Sequence, residues 1–182
     1  MQRIAIIDVG SNSARLVISH ILKNGSYNMI FSQKEALRLS QKIDVRGNLT
    51  PEAFIATLET MKSFAYMCKL YQADRIIAVA TAAIRTAKNG AELTALVEKE
   101  TGINLHIISG TTEAYISYLG VINTLSEKNG IIFDLGGGST ELILFRDRKI
   151  VNSVSLPFGS VNMTGMFNTK NTMKANVYSD LS

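Results

Sequence analysis

The sequence predicts an α/β fold of two related lobes, and three observations carry that prediction. Two short apolar runs, Ile4-Ala5-Ile6-Ile7 and Gly130-Ile131-Ile132-Phe133, each end in an aspartate followed by a turn of small residues. Each turn leads into a second apolar run, Leu16-Val17-Ile18 and Leu142-Ile143-Leu144-Phe145, so each unit reads as a hairpin. Between the hairpins, strand-like and helix-like segments alternate, which is the pattern of an α/β lobe.

The elements follow in order. Strands near Arg3 to Asp8, Arg15 to Leu22 and Tyr27 to Leu37 form an antiparallel meander. Thr50-Pro51-Glu52 opens a helix running to about Tyr71, with Thr50 as N-cap and Pro51 at the first helical position. Arg75 to Ala80 is a strand, Gly90 to Thr101 a helix ended by Gly102, and Asn104 to Ile108 a strand. Thr111 to about Leu125 is a helix with Tyr115, Tyr118, Leu119 and Ile122 on one face. The polar stretch Ser126-Glu127-Lys128-Asn129-Gly130 marks the boundary, dividing a first domain, 1–125, from the start of a second, 126–182. Strands over Ile131 to Asp134, Thr140 to Phe145 and Ile150 to Leu156 follow, with Asp147-Arg148 as a turn. From about residue 168 the tail is polar and weakly patterned.

Composition narrows the class. The 182 residues are 46% apolar, enough for one large or two small cores. No stretch reaches the roughly 18 consecutive apolar residues of a membrane helix, and Met1-Gln2-Arg3 leads directly into a strand with no signal peptide, so a cytoplasmic protein is expected. Cys68 is the only cysteine, which excludes an internal disulfide or a thiolate metal centre, and it lies in an apolar helix pattern where a buried, inert thiol is expected. His20 and His106 fall in separate strands and are expected to pack or face solvent. A net charge of +4 and a pI of 9.2 suit a polyanionic partner, but no basic block or aromatic stripe points to nucleic acid.

The two turns carry the chemistry. In Asp8-Val9-Gly10-Ser11-Asn12-Ser13 and Asp134-Leu135-Gly136-Gly137-Gly138-Ser139-Thr140-Glu141, glycine lets backbone approach an anion closely. Turn N–H groups and the hydroxyls of Ser11, Ser13, Ser139 and Thr140 supply donors for phosphate. Neither turn is a Walker loop or a dinucleotide-binding Gly-x-Gly-x-x-Gly turn. Asp8, Asp134 and Glu141 flank the turns, and three carboxylates beside phosphate imply an intervening cation, Mg²⁺ or Mn²⁺, held largely through waters. Asp8 and Asp134 have the structural alternative of capping their turns.

These paired hairpins resemble the actin, sugar kinase and DnaK-type chaperone superfamily, in which two domains of ribonuclease-H-like topology close over a phosphoryl group. Within it, the first turn continued to Leu16, the stretch Ala80-Thr81-Ala82-Ala83-Ile84-Arg85-Thr86-Ala87-Lys88-Asn89-Gly90, the stretch Ile108-Ser109-Gly110-Thr111-Thr112-Glu113-Ala114 and the second turn resemble successive motifs of the exopolyphosphatase and guanosine pentaphosphate phosphohydrolase (Ppx/GppA) family. The likeness runs from residue 2 to about Phe167 and includes Ser155-Leu156-Pro157-Phe158-Gly159-Ser160-Val161.

The resemblance implies an actin-like ATPase fold: a complete first domain and the opening strands of a second. It implies release of terminal orthophosphate from inorganic polyphosphate or guanosine pentaphosphate. By the same resemblance Glu113 is the base that orients and deprotonates the attacking water, and Arg85 clamps phosphate oxygens in a bidentate fork. Without it, Glu113 reads as a first-turn acid complementing a helix dipole and Arg85 as a solvated helix-start arginine. Arg15 has either a phosphate role or an outward one. Gly10, Ser11, Asn12, Ser13, Gly136, Gly137, Gly138, Ser139 and Thr140 form the expected phosphate cradle, and a homodimer is expected of the full-length protein.

Two other classes remain open at this point, a kinase or ATPase of the superfamily and a non-catalytic phosphate-binding module. The early end of the second lobe leads us to expect a fragment or truncated product that self-associates and turns over little on its own.

Overall fold

The computed structural model describes residues 2–166, so the expectations for the polar tail lie outside the described residues. Strands β1 (Gln2–Val9), β2 (Ser13–Ile21) and β3 (Tyr27–Ala36) form the antiparallel meander. Strands β4 (Arg75–Ala80) and β5 (Leu105–Ile107) add in parallel on the other side, giving a five-stranded mixed sheet of order β3-β2-β1-β4-β5. β1 is therefore central, and its alternation buries Ala5, Ile7 and Val9 while sending Ile6 and Asp8 to the opposite face.

Helix α1 (Pro51–Leu70) begins as the sequence predicts. The Thr50 side chain accepts from the Ala53 amide, and Pro51 occupies the first turn, where its missing N–H has no cost. Its buried residues Ala53, Thr57, Met61, Phe64 and Cys68 recur at helical spacing, and Ala53, Met61, Phe64 and Cys68 pack into the first core. A short 3-10 turn (Leu39–Lys42) and a five-residue helix α2 (Ala82–Thr86) were not foreseen, being too short for periodicity to register. α3 (Gly90–Thr101) ends at Gly102 in the left-handed region (φ 70°), the stop the sequence predicts.

Helix α4 (Gly110–Ile122) is shorter than expected, ending three residues before Leu125. The guanidinium of Arg148 explains the stop, because it donates to the carbonyls of Ile122 and Leu125 and so satisfies the helix end. The buried stripe of α4 is Ala114, Tyr118 and Ile122; Tyr115 and Leu119, expected on that face, are exposed. This stripe packs on Ile132, Ile143 and Phe145 of the second sheet rather than on the first core.

The second sheet is an antiparallel meander of β6 (Gly130–Leu135), β7 (Thr140–Arg146) and β8 (Lys149–Leu156). Asp147 and Arg148 both have positive φ (49° and 57°), the geometry a two-residue hairpin turn requires. The sheet face away from α4 leaves Ile131, Phe133 and Leu135 exposed. Another short helix, α5 (Ser160–Met166), follows β8. No described helix is long and apolar enough to cross a membrane.

Candidate active site

The two glycine turns close identically. The Gly10 amide donates to the Ser13 carbonyl at 3.0 Å, and the Gly136 amide donates to the Ser139 carbonyl at 3.0 Å. Strand register then sets Asp8 opposite Arg15 in the first hairpin and Asp134 opposite Glu141 in the second, so the equivalent position carries a cation in one and a carboxylate in the other.

The first turn is held from behind. Its Ser11 and Asn12 carbonyls accept from the amides of Ser40, Leu37 and Arg38, and the buried Ser11 hydroxyl accepts from the Ala83 amide at the start of α2. The second turn is held by the residues after β8, the amides of Ser160 and Val161 donating to the Gly136 and Gly137 carbonyls. Gly159 lies so close that a Cβ there would stand 2.5 Å from the Gly136 carbonyl oxygen. The turns also meet each other, since a Cβ on Gly138 would fall 2.4 Å from the Ser11 hydroxyl.

Below this meeting point lies a cavity of about 520 Å³ whose wall includes Asp8, Glu113, Asp134 and Glu141. Gly10, Ser11, Asn12 and Ser13 line one side, and Gly136, Gly137, Gly138 and Ser139 the other. Thr140 stands apart from the expected cradle: it lines no part of this cavity, and its hydroxyl donates to the Phe158 carbonyl at 2.7 Å. Strand alternation is the cause, because Thr140 points to the sheet face opposite Glu141.

Glu113 enters from the first turn of α4, whose start is fixed by the Ser109 side chain accepting from the Thr112 amide. Its Oε2 accepts from Arg85 Nη1 at 2.9 Å, and the same nitrogen donates to the Ile108 carbonyl at 3.0 Å. Burial raises the Glu113 pKa, Arg85 pulls it down, and the nearby Glu141 and Asp8 charges push it up again. The Asp8 carboxyl is also raised, chiefly by desolvation between sheet and turn; Arg15 opposes this and Asp134 reinforces it.

The other two carboxylates each hold a serine partner that sequence reasoning missed. Ser117 donates to Asp134 at 2.5 Å, and Ser155 donates to Glu141 at 2.7 Å. Ser117 follows Glu113 by one helical turn, so a helical wheel brings both to one face; Ser155 required the strand pairing with Glu141 to be known. Arg85, which the resemblance gives as a phosphate clamp, pairs with Glu113, and its guanidinium forms the wall of a neighbouring cavity rather than of this one.

Among the described residues no three His, Cys, Asp or Glu side chains gather closely enough to hold a metal directly. Asp8, Asp134, Glu113 and Glu141 surround one space, so a divalent ion there would keep most of its water and be held by one or two of these carboxylates.

Two antiparallel meanders with matched turns facing across a cleft define the actin-like ATPase fold. The ethanolamine utilization protein EutJ of Carboxydothermus hydrogenoformans, at 15% identity and a TM-score of 0.51, shares that fold. The chain belongs to the Ppx/GppA phosphatase family, whose sequence pattern matches residues 17–179. Exopolyphosphatase 2 of Mycobacterium tuberculosis is 32% identical over 174 residues, covering 90% of this chain and 54% of its own length. A bifunctional 3-dehydroquinate synthase/phosphatase of Fusobacterium nucleatum is 34% identical over 179 residues, 93% of this chain and 27% of that protein. The crystal structure of an exopolyphosphatase from Cytophaga hutchinsonii superposes with a TM-score of 0.91 at 27% identity, covering 98% of this chain and 58% of that one. The chain thus spans about half the length of the exopolyphosphatases it matches.

Proposed function

We propose that the full-length protein is a phosphohydrolase that releases terminal orthophosphate from inorganic polyphosphate, guanosine pentaphosphate or both. The observation that carries this reading is the Glu113 carboxylate, held at 2.9 Å by Arg85 in a cavity roofed by two glycine turns. Its raised pKa brings it closer to neutrality, where a general base works best. The names of the exopolyphosphatase relatives support the choice of polyphosphate.

The turn amides and the Ser13 and Ser139 hydroxyls hold the terminal phosphate oxygens, with the two turns fixing its position between the lobes. Glu113 accepts a proton from a water as that water's oxygen bonds to the terminal phosphorus. The bond from phosphorus to the bridging oxygen breaks, and the shortened chain leaves with the bonding electron pair. Arg85 holds the Glu113 side chain in place, while Ser117 and Ser155 orient Asp134 and Glu141. One or two of Asp8, Asp134 and Glu141 would hold a hydrated Mg²⁺ or Mn²⁺, which would supply charge neutralisation for the phosphate oxygens.

The test is orthophosphate release from polyphosphate, guanosine pentaphosphate and ATP in parallel, with Mg²⁺ or with chelator. Release from either of the first two, dependent on the ion and exceeding release from ATP, is the expected result. Transfer of phosphate from ATP to an acceptor, or ion-independent release, would overturn the reading.

A further inference from the structure

Helix α4 carries Glu113 but packs on the second lobe. Its buried stripe, Ala114, Tyr118 and Ile122, lies on Ile132, Ile143 and Phe145 of the second sheet, and its Ser117 donates to Asp134. The residue before its N-cap stays with the first sheet. The Ile108 amide donates to the Ala80 carbonyl at the end of β4, and the Ile108 carbonyl accepts from Arg85. Glu113 therefore has its backbone carried by one lobe and its carboxylate held, through Arg85, by the other.

Gly110 opens α4, one helical turn before Glu113. Its backbone does not demand glycine, since its φ lies outside the left-handed region. The space around it does. A Cβ there would stand 2.5 Å from the Ser155 Cβ and 2.6 Å from the Ser155 hydroxyl, well inside the 3.4 Å at which ordinary contact begins. The next atom it would meet is Arg85 Nη2, at an unstrained 3.8 Å. Ser155 is the β8 residue paired with Glu141 across the sheet, and its hydroxyl donates to the Glu141 carboxylate. The bare Cα of Gly110 thus rests on the side chain that orients Glu141.

We propose that Gly110 is a positioning residue: its contact with Ser155 seats the start of α4 on β8 and so sets the place of the Glu113 carboxylate between Arg85 and Glu141. The kinetic consequence rests on the phosphohydrolase reading. An alanine at 110 must withdraw from Ser155 by roughly 1 Å to reach ordinary contact, a displacement on the scale that costs a positioned catalytic group about 10²-fold in rate.

The test is a set of mutant cycles in the full-length protein, with rates normalised to folded enzyme. Gly110→Ala is expected to lower kcat for polyphosphate about 10²-fold while KM stays within a few-fold. Ser155→Gly removes the obstructing side chain; it frees Glu141 and lowers the baseline, but adding Gly110→Ala to it should cost less than about a further threefold, because the new methyl has room. In Glu113→Gln the base is already lost, so Gly110→Ala should again add less than about threefold, whereas a merely structural lesion would add its full effect. In Ser155→Gly, Gly110→Val inserts a branched side chain larger than the one removed and should lower kcat in its turn, so the contact is tested even if Gly110→Ala alone does not fold. Equal losses from Gly110→Ala with and without the Ser155 side chain, a full further loss in Glu113→Gln, or wild-type kcat in Gly110→Ala overturns the proposal and leaves the phosphohydrolase reading standing. A wild type that hydrolyses neither polyphosphate nor guanosine pentaphosphate removes that reading alone. Urea unfolding then decides the seat: Gly110→Ala is expected to lower the midpoint when Ser155 is present and not in Ser155→Gly, and equal shifts in the two overturn it.

Discussion

Replacing Glu113 by glutamine removes a proton acceptor and almost nothing else. The amide oxygen of glutamine can still accept from Arg85 Nη1, which now lies 2.9 Å from Oε2, so the pair keeps its shape. General-base catalysis contributes about 10²- to 10⁴-fold, so kcat in the full-length protein is expected to fall by that range, about 3 to 5 kcal/mol of barrier. KM should stay within a few-fold, because the substitution takes a negative charge away from an anion site. Stability should move the other way. A glutamate whose folded pKa lies above its unfolded one binds a proton more readily when folded, so the wild type loses stability as pH rises from the unfolded pKa through the folded one. Glutamine has no such loss. Glu113→Gln should therefore melt above the wild type at neutral pH, with the gain vanishing below the unfolded pKa. Steady-state kinetics and thermal melts across pH measure both. Lost binding with intact turnover, or a variant less stable than wild type at neutral pH, would refute the reasoning.

Further outcomes follow from the same contacts. Chelation should abolish hydrolysis, and Asp134→Ala should raise the Mg²⁺ concentration needed for half-maximal rate, since the ion offsets repulsion between carboxylates and phosphate; activity titrations against Mg²⁺ check this. Thr57 is fully buried in α1, and its hydroxyl has no partner among the described residues, so Thr57→Val should stabilise the protein by about 1 kcal/mol or more in urea unfolding. Gly159→Ala drives a Cβ into the backbone of the second turn, 2.5 to 2.8 Å from its atoms, and should cost about 1–3 kcal/mol together with activity. Gly120→Ala, on an open face of α4 with nothing within 4 Å, should instead stabilise by up to about 1 kcal/mol, and the same unfolding curves compare the two.

Much of this architecture is legible in the chain because its signals are local. Thr50-Pro51 and Gly102 mark helix ends through capping chemistry, and the alternation in β1 sorts Ile7 from Asp8 without reference to the rest of the fold. The family motifs brought Glu113 and Arg85 to one site, and they do touch. What escaped depends on tertiary contacts. The end of α4 is set by Arg148, a residue of a later hairpin, and the retreat of Thr140 from the cradle follows from which face of β7 it occupies. Ser117 and Ser155 become partners of Asp134 and Glu141 only once helix and strands are packed. The orientation of Arg85 toward a second cavity was equally hidden, because no spacing rule reports which side of an ion pair faces open space.

The central claim is that Glu113 directs a water onto a terminal phosphate, and hydrolysis of long-chain polyphosphate in ¹⁸O-enriched water tests it most directly. The full-length protein is expected to release orthophosphate stepwise from the chain end, each carrying solvent oxygen, and Glu113→Gln is expected to suppress that labelled product while still binding the chain. Internal chain cleavage, unlabelled orthophosphate, or undiminished labelling in Glu113→Gln would contradict it.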